Sequence, residues 1–268
     1  MSDRVMPDRD TPGAFWVRFG PTSQSWVDPS RPDFLAFEYV QHIAMVMDHT
    51  VLSAPDETRL RVVHIGGAGM SLPRWVAWRR PGTAQIVCEP DKELTAEVRR
   101  KIPLPSRSGI KVRDVDGRAG LAAMPEQWAD VVIVDAFDGA TVPGELATEE
   151  ALDELRRIVR GSAVVAFNVT DRAPFAWSKR LAGGVAARWR NVLIGMEPVV
   201  AKGKRFGNLL LIGSDTRPDV AGIERESARL TVGYRWMSGR ESRSWPGGAT
   251  PMRDDAAEAS PGPLGRGW

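Results

Sequence analysis

Two carboxylates three residues apart raise the first question of chemistry: "VVIVDAFDG" sets Asp135 directly after four apolar residues and Asp138 just ahead of a glycine. A buried strand ending at Asp135 would bring it out at the rim of a sheet, where two close carboxylates beside a bound ligand can orient an amine or hydroxyl nucleophile and take its proton. Asp before Gly is also a common turn or helix cap, and that use of Asp138 stands beside the catalytic one. A second stretch, "VVHIGGAGMSLPRW" at 62–75, runs an apolar strand pattern into Gly66, Gly67 and Gly69 and then into a helical pattern. Such a turn lets a ligand approach bare backbone and aims the amino end of the next helix at it. Position 71 is Ser, so the spacing is not G-x-G-x-x-G, and a tight structural turn is the competing reading. Glu89 lies 23 residues after Gly66, directly after "QIVC". An acid at the end of the second strand accepts ribose hydroxyl protons. "DVDGRAG" then puts Asp116 and Gly117 after a third strand, a carboxylate and a bare turn suited to an adenine edge. No Gly-Lys-Ser/Thr follows the glycine turn, which disfavours a phosphate cradle. The set describes a nucleoside site.

The elements that must position these residues follow from the rhythm of the chain. From residue 60 onward, short apolar runs rich in β-branched residues predict strands at 60–65, 84–88, 110–113, 131–134, 162–167, 192–196 and 209–212. Helical patterns such as "KELTAEVRRKI" and "TEEALDELRRIV" separate most of them. Parallel neighbours require crossovers, so this alternation predicts an α/β, Rossmann-like, doubly wound and mostly parallel seven-stranded sheet. The last two strands are joined by "EPVVAKGKRFGN", too short for a helical crossover, which predicts an antiparallel hairpin at one edge. Upstream, "AFWVRFGPTSQSWVD" reads as a hairpin turning at Gly20-Pro21, and 34–48 has helical spacing. Residues 1–13 and the tail "RDDAAEASPGPLGRGW" are polar or rich in Pro and Gly, which predicts loose order at both ends. The expected division is 1–13, a hairpin and helix at 14–58, a nucleoside-binding catalytic domain at 59–240, and a tail at 241–268.

Composition narrows the partners. The 268 residues are 43% hydrophobic and 26% charged, with 36 basic against 34 acidic residues and a net charge of +2. That balance announces neither a nucleic acid nor a membrane surface, and a small-molecule substrate is expected. The lone Cys88 excludes an internal disulfide and a multi-cysteine zinc site. The amino terminus lacks the apolar segment of a signal peptide and no 18 apolar residues run together, so a cytoplasmic protein is expected. His64 reads as a core histidine, and His42 and His49 as lacking the carboxylate company of a metal site, so no metal is expected. The ten tryptophans, Trp16 and Trp26 among them, permit an aromatic contact surface.

Together, "HIGGAGMSLPR", "IVCEPD", "DVDGRAG" and "VVIVDAFDG" resemble the polyamine aminopropyltransferases, the spermidine synthase family, which share the class I methyltransferase fold. The similarity extends from about Gln24 to Ser214. It implies decarboxylated S-adenosylmethionine as co-substrate, with Gly66, Gly67 and Glu89 on the nucleoside and Asp116, beside Gly117, on the adenine. It maps the family's Asp-x-x-Asp pair onto Asp135 and Asp138, with the second Asp as base. "TSQSWVD" resembles the family's glutamine-bearing hairpin and implies a cofactor contact for Gln24. "FEYVQ" resembles its tyrosine-bearing helix and makes Tyr39 an acceptor-site wall, a core tyrosine being the alternative. A homodimer is a further expectation from the family.

Three departures bear on activity. The Asp that binds the aminopropyl ammonium in the family is Gly69 here, and the family's Asp-Pro is Asp138-Gly139. The loop that supplies an acceptor-site tyrosine reads "AKGKR", which would put Lys202, Lys204 and Arg205 at the acceptor mouth. Each would repel a diamine by roughly 1 kcal/mol per pair at ~4 Å near water; a solvated edge is the competing reading. Aminopropyl transfer to an amine is thus one expectation. A second is a methyltransferase using intact S-adenosylmethionine on a small, anionic acceptor, with Arg74 near the cofactor carboxylate unless it is an exposed helix arginine. A third is a non-catalytic nucleoside-binding homologue.

Overall fold

The structure, a computed structural model, describes residues 3–20, 22–55 and 57–263. Three short strands, β1 (Val5–Pro7), β2 (Phe15–Phe19) and β3 (Thr22–Val27), form an antiparallel sheet in that order. Pro21 of the expected turn lies outside the described residues. Helix α1 (Glu38–Asp48) follows, buried along Val40, Ile43, Ala44 and Met47. The chain then alternates β4 (Arg61–Ile65), α2 (Ser71–Arg79), β5 (Ala84–Cys88), α3 (Lys92–Lys101), β6 (Ile110–Arg113), α4 (Gly117–Ala122), β7 (Ala129–Val134), α5 (Glu149–Ile158), β8 (Val159–Asp171), α6 (Ala176–Arg188) and β9 (Asn191–Met196). It ends with α7 (Pro198–Ala201), β10 (Gly207–Ser214), α8 (Val220–Ser227), β11 (Arg235–Met237) and α9 (Gly239–Ser244).

The large sheet has the order β11-β9-β10-β8-β7-β4-β5-β6. Strands β8, β7, β4, β5 and β6 pair in parallel, while β10 is antiparallel to both β8 and β9. Strand β4 lies between β5 and β7, so the crossovers run in opposite directions on its two sides. A crevice therefore opens at the carboxyl ends of β4 and β7, where a doubly wound sheet binds its ligand. Alternation sorts the side chains: Val63, Ile65, Val132 and Val134 join the core with α5 and α6, whereas Val62, Ile133 and Leu210 pack with α1 and α2. His64 shares a face with Val62. The amino-terminal sheet lies over the glycine turn, with Val5, Val17 and Val27 in one cluster with Met70, Val87 and Leu94.

Two expectations are corrected. The sheet has eight strands, not seven, because the three-residue β11 is too short to show a period, and β11 takes the edge expected for the β9–β10 pair. The ends are also fastened. Val5–Pro7 pairs with β2, Met252 is fully buried and bridges to Thr148, and Ser260 exchanges hydrogen bonds with Val142, N to O at 3.0 Å and N to Oγ at 2.8 Å. A few anchors hold a polar tail that composition alone describes as loose. Residues 264–268 of that tail lie outside the described residues.

Candidate active site

The glycine turn is stripped bare first by the protein itself. Gly66 has φ +96°, and a Cβ on it would meet the Asp135 carbonyl oxygen at 2.2 Å, because the paired strands β4 and β7 end side by side there. A Cβ on Gly67 would lie 2.8 Å from Val87 Cγ1, and one on Gly69 2.8 Å from Ser25 Cβ and 3.0 Å from Val17 and Val27 methyls. Ala68 and Met70 also have positive φ, 39° and 58°, a conformation uncommon for residues with a Cβ. Gly66, Gly67 and Ala68 still line the cleft, so the structural and ligand-facing readings of the turn coincide.

Glu89 ties this turn to the second strand. Its Oε2 accepts from the Gly67 and Ala68 N–H groups at 3.0 and 3.1 Å, and its Oε1 accepts from the Asp91 N–H at 3.0 Å. A carboxylate offers about four lone-pair sites, and with three taken by backbone donors about one remains for a ribose hydroxyl. Asp116 caps α4, its Oδ1 accepting from the Ala119 N–H at 2.8 Å, and Gly117 allows close packing on Ile65 and Leu146. Both line the cleft. From above, Gln24 Nε2 donates to the Gly139 carbonyl at 3.2 Å, bridging the amino-terminal hairpin to the loop after β7. The cleft beneath has a volume of about 340 Å³, within the range of small-ligand sites. Glu89, Asp91, Asp116, Asp135, Asp138 and Glu145 line it, and no Lys, Arg or His does among the described residues.

Asp135 is held by side chains. Asn168 Nδ2 donates to its Oδ1 at 2.8 Å, Asn208 Nδ2 donates to Asn168 Oδ1 at 2.8 Å, and the Tyr39 hydroxyl donates to the same carboxylate. Burial raises its pKa to about 6, while the Asn168 and Tyr39 hydrogen bonds pull the other way. Burial first, then the Asp135 charge, pushes the Tyr39 phenol well above its ordinary value. Asp138 is exposed, in a tight turn with Thr141 that exchanges N–H···O bonds of 2.9 and 3.1 Å and turns at Gly139, φ +62°. Its backbone shapes the turn while its side chain lines the cleft. Behind Asp135 a chamber of about 40 Å³ is walled by Tyr39, His64, Ser71 and Pro73, among others.

No family model and no curated protein sequence matches the chain. Solved structures do. A probable spermidine synthase from Corynebacterium glutamicum superposes with a TM-score of 0.87 over 93% of this chain and 92% of its own, at 25% identity. The chain has the spermidine synthase-like, class I methyltransferase fold. The spermidine synthase of Thermotoga maritima has a TM-score of 0.57 at 15% identity, covering 84% of this chain and 73% of its own. Human methyltransferase-like protein 13 in complex with SAH has a TM-score of 0.57 at 16% identity, covering 75% and 96%. The Corynebacterium neighbour, alike over nearly the whole of both chains, supports a transferase.

Within this spermidine synthase-like fold, several expectations change. Lys202, Lys204 and Arg205 are exposed and line neither the cleft nor the chamber, because β8 and β10 lie between their loop and β7. Arg205 pairs with Glu197. Arg74 is not an exposed helix arginine: it is 3% exposed, and its guanidinium donates to the carbonyls of Pro103 and Ile102 at 3.0 and 2.5 Å, fastening α2 to the end of α3. It does not line the cleft, and burial lowers its pKa to about 10. His49 does have carboxylate company, with Nε2 at 2.7 Å from Glu226 and Nδ1 at 3.5 Å from Asp219. His42 bonds the Glu38 carbonyl and the Ser227 hydroxyl. Among the described residues no three His, Cys, Asp or Glu side chains form a metal-binding group, and no helix is long and apolar enough to cross a membrane.

Asn168 and Asn208 escape the sequence reading. A polar residue inside the apolar run "AVVAFNVT" is the one signal that could have singled out Asn168.

Proposed function

We propose that this chain transfers an aminopropyl group from decarboxylated S-adenosylmethionine to an amine acceptor. The observation that carries the reading is the lining of the cleft, six carboxylates with no cationic side chain among them, of which Asp91 alone is paired from behind by Arg4. A donor bearing a sulfonium and an ammonium, and an acceptor that arrives as a cation, both gain from that field. The carboxylate of intact S-adenosylmethionine would meet mostly like charge, five lining carboxylates besides the Asp91 that Arg4 pairs. In this reading Glu89 receives a ribose hydroxyl with its remaining lone pair, Asp116 and Gly117 border the adenine, Gly66 and Gly67 back the nucleoside, and Gln24 covers it.

The acceptor nitrogen attacks the carbon attached to the sulfonium sulfur. The new C–N bond forms as the C–S bond breaks, its electron pair stays on sulfur, and methylthioadenosine leaves. The chain's part is to hold the two reactants in line and to take the proton that the nitrogen sheds. We assign that proton to Asp135 instead of Asp138. Its pKa of about 6 leaves it a carboxylate at neutral pH yet close to the working range of a base, and Asn168 and Tyr39 fix its orientation. Asp138, exposed at the mouth, is placed to attract the incoming amine, and Tyr39 forms a wall of the acceptor side.

Gly69 favours the second reading, methyl transfer from intact S-adenosylmethionine, because a side chain there would collide with Ser25, Val17 and Val27. The test is turnover: the purified chain is incubated with decarboxylated S-adenosylmethionine and putrescine, and products are read by mass spectrometry. Release of methylthioadenosine with a matching amount of aminopropylated amine is expected. Release of S-adenosylhomocysteine from intact cofactor, with no aminopropylation of any diamine, would replace this reading with the second.

A further inference from the structure

The chamber behind Asp135 is given no task by the transfer chemistry, yet its wall is specific. Its volume of about 40 Å³ accommodates only a few water-sized groups. His64, 3% exposed, forms part of it, and a neighbour fixes which of its ring nitrogens carries the proton. Gln85 Nε2 lies 3.0 Å from the Pro73 carbonyl, an oxygen that can only accept. Gln85 must therefore turn its Oε1 toward His64 Nε2, at 2.9 Å, and accept the N–H there. Burial, which lowers the His64 pKa to about 4, keeps the ring neutral. A neutral imidazole protonated at Nε2 leaves Nδ1 as an acceptor, which a water or a ligand donor in the chamber can satisfy.

The chamber thus calls for an N–H or O–H, and the Asp135 carboxylate on its wall calls for positive charge. Tyr39 cannot supply the donor, since its hydroxyl is committed to Asp135. A carboxylate at position 69 is blocked by the hairpin, with Ser25 Cβ standing where that side chain would begin, and the same Ser25 walls the chamber. We propose that His64 is a specificity-determining residue of this chain, receiving with Asp135 an unsubstituted primary ammonium group in the chamber. That group is either the end of the donor's three-carbon chain or one end of an acceptor diamine. The choice of those molecules rests on the aminopropyl-transfer reading. The demand for a small multi-donor cation does not.

Nitrogen-15 NMR of histidine-labelled wild-type protein tests this directly, because the chain has only three histidines and both ring nitrogens of His42 are occupied. Putrescine alone, methylthioadenosine alone and decarboxylated S-adenosylmethionine are titrated separately, with binding followed by calorimetry. A His64 Nδ1 shift with decarboxylated S-adenosylmethionine supports the proposal with the donor as source, and a shift with putrescine supports it with the acceptor as source. In either case methylthioadenosine, which lacks the ammonium, leaves Nδ1 in place. An unmoved Nδ1 with an amine bound, or an equal shift with methylthioadenosine, overturns the proposal. Failure of both adenosyl ligands to bind overturns the transfer reading instead, while the putrescine titration still decides the chamber. As a second readout, His64→Leu weakens the amine-bearing ligand about ten- to hundredfold relative to methylthioadenosine, and His64→Gln, which keeps an acceptor, recovers part of the loss. Equal losses for both ligands contradict an ammonium-reading role.

Discussion

Glu89 and Asp135 are both carboxylates at the carboxyl end of a parallel strand, but they are held in opposite ways. Glu89 is clasped by three backbone N–H groups, from Gly67, Ala68 and Asp91. Asp135 is held by the side chains of Asn168 and Tyr39, with Asn208 behind Asn168. Backbone donors come with the turn and fix a binding group rigidly. Side-chain donors drawn from α1, β8 and β10 leave the carboxylate in a low-dielectric setting where its proton affinity can be tuned. In the function we propose, the nucleoside side of the cleft binds and the amine side manages a proton.

Crossed substitutions break this comparison if it is wrong. Asp135→Asn is expected to lower turnover by about 10² to 10⁴ while leaving methylthioadenosine affinity unchanged. Glu89→Gln is expected to weaken methylthioadenosine by about 1 to 3 kcal/mol, read by calorimetry, with a much smaller effect on turnover at saturation. A full-rate Asp135→Asn enzyme, or an Asp135→Asn loss confined to nucleoside affinity, would erase the distinction.

The amine side carries a further signature, in stability. Asp135 has a pKa raised from 3.8 to about 6, so between those values the native state retains a proton that the unfolded chain has released, and stability falls as pH rises. His64 has a pKa lowered from 6.5 to about 4, so in that window the unfolded chain binds a proton that the native state refuses, and stability rises with pH. The two oppose each other between about pH 4 and 6. Relative to wild type, Asp135→Asn should make stability climb with pH across the window and His64→Gln should make it fall, each by at most about 1.4 kcal/mol per pH unit. Urea unfolding at several pH values reads both slopes, and parallel profiles for the three proteins would contradict the assignment.

The nucleoside side was the more legible in sequence because its parts are local. Glu89 follows the run "QIVC" and Gly66 and Gly67 follow "VVHI", so strand periodicity alone puts them on one rim. The amine side depends on strand order. Asn208 reaches Asn168 because β10 inserts between β8 and β9, a pairing that no local pattern encodes. The same insertion carries Lys202, Lys204 and Arg205 away from β7, which is why a motif that suggested a basic mouth ends beside an acidic cleft. Arg74 and His49 were misread for a related reason: helical spacing gives the face of a helix but not which loop or helix will cover it.

Cofactor choice tests the central claim most directly, through the affinities of decarboxylated and intact S-adenosylmethionine measured by calorimetry on the same protein in the same buffer. A cleft lined by six carboxylates, only one of them paired with a cation, predicts that the decarboxylated form binds at least about tenfold tighter, a margin of ~1.4 kcal/mol that shrinks as salt is added. Equal or tighter binding of the intact form would contradict the account.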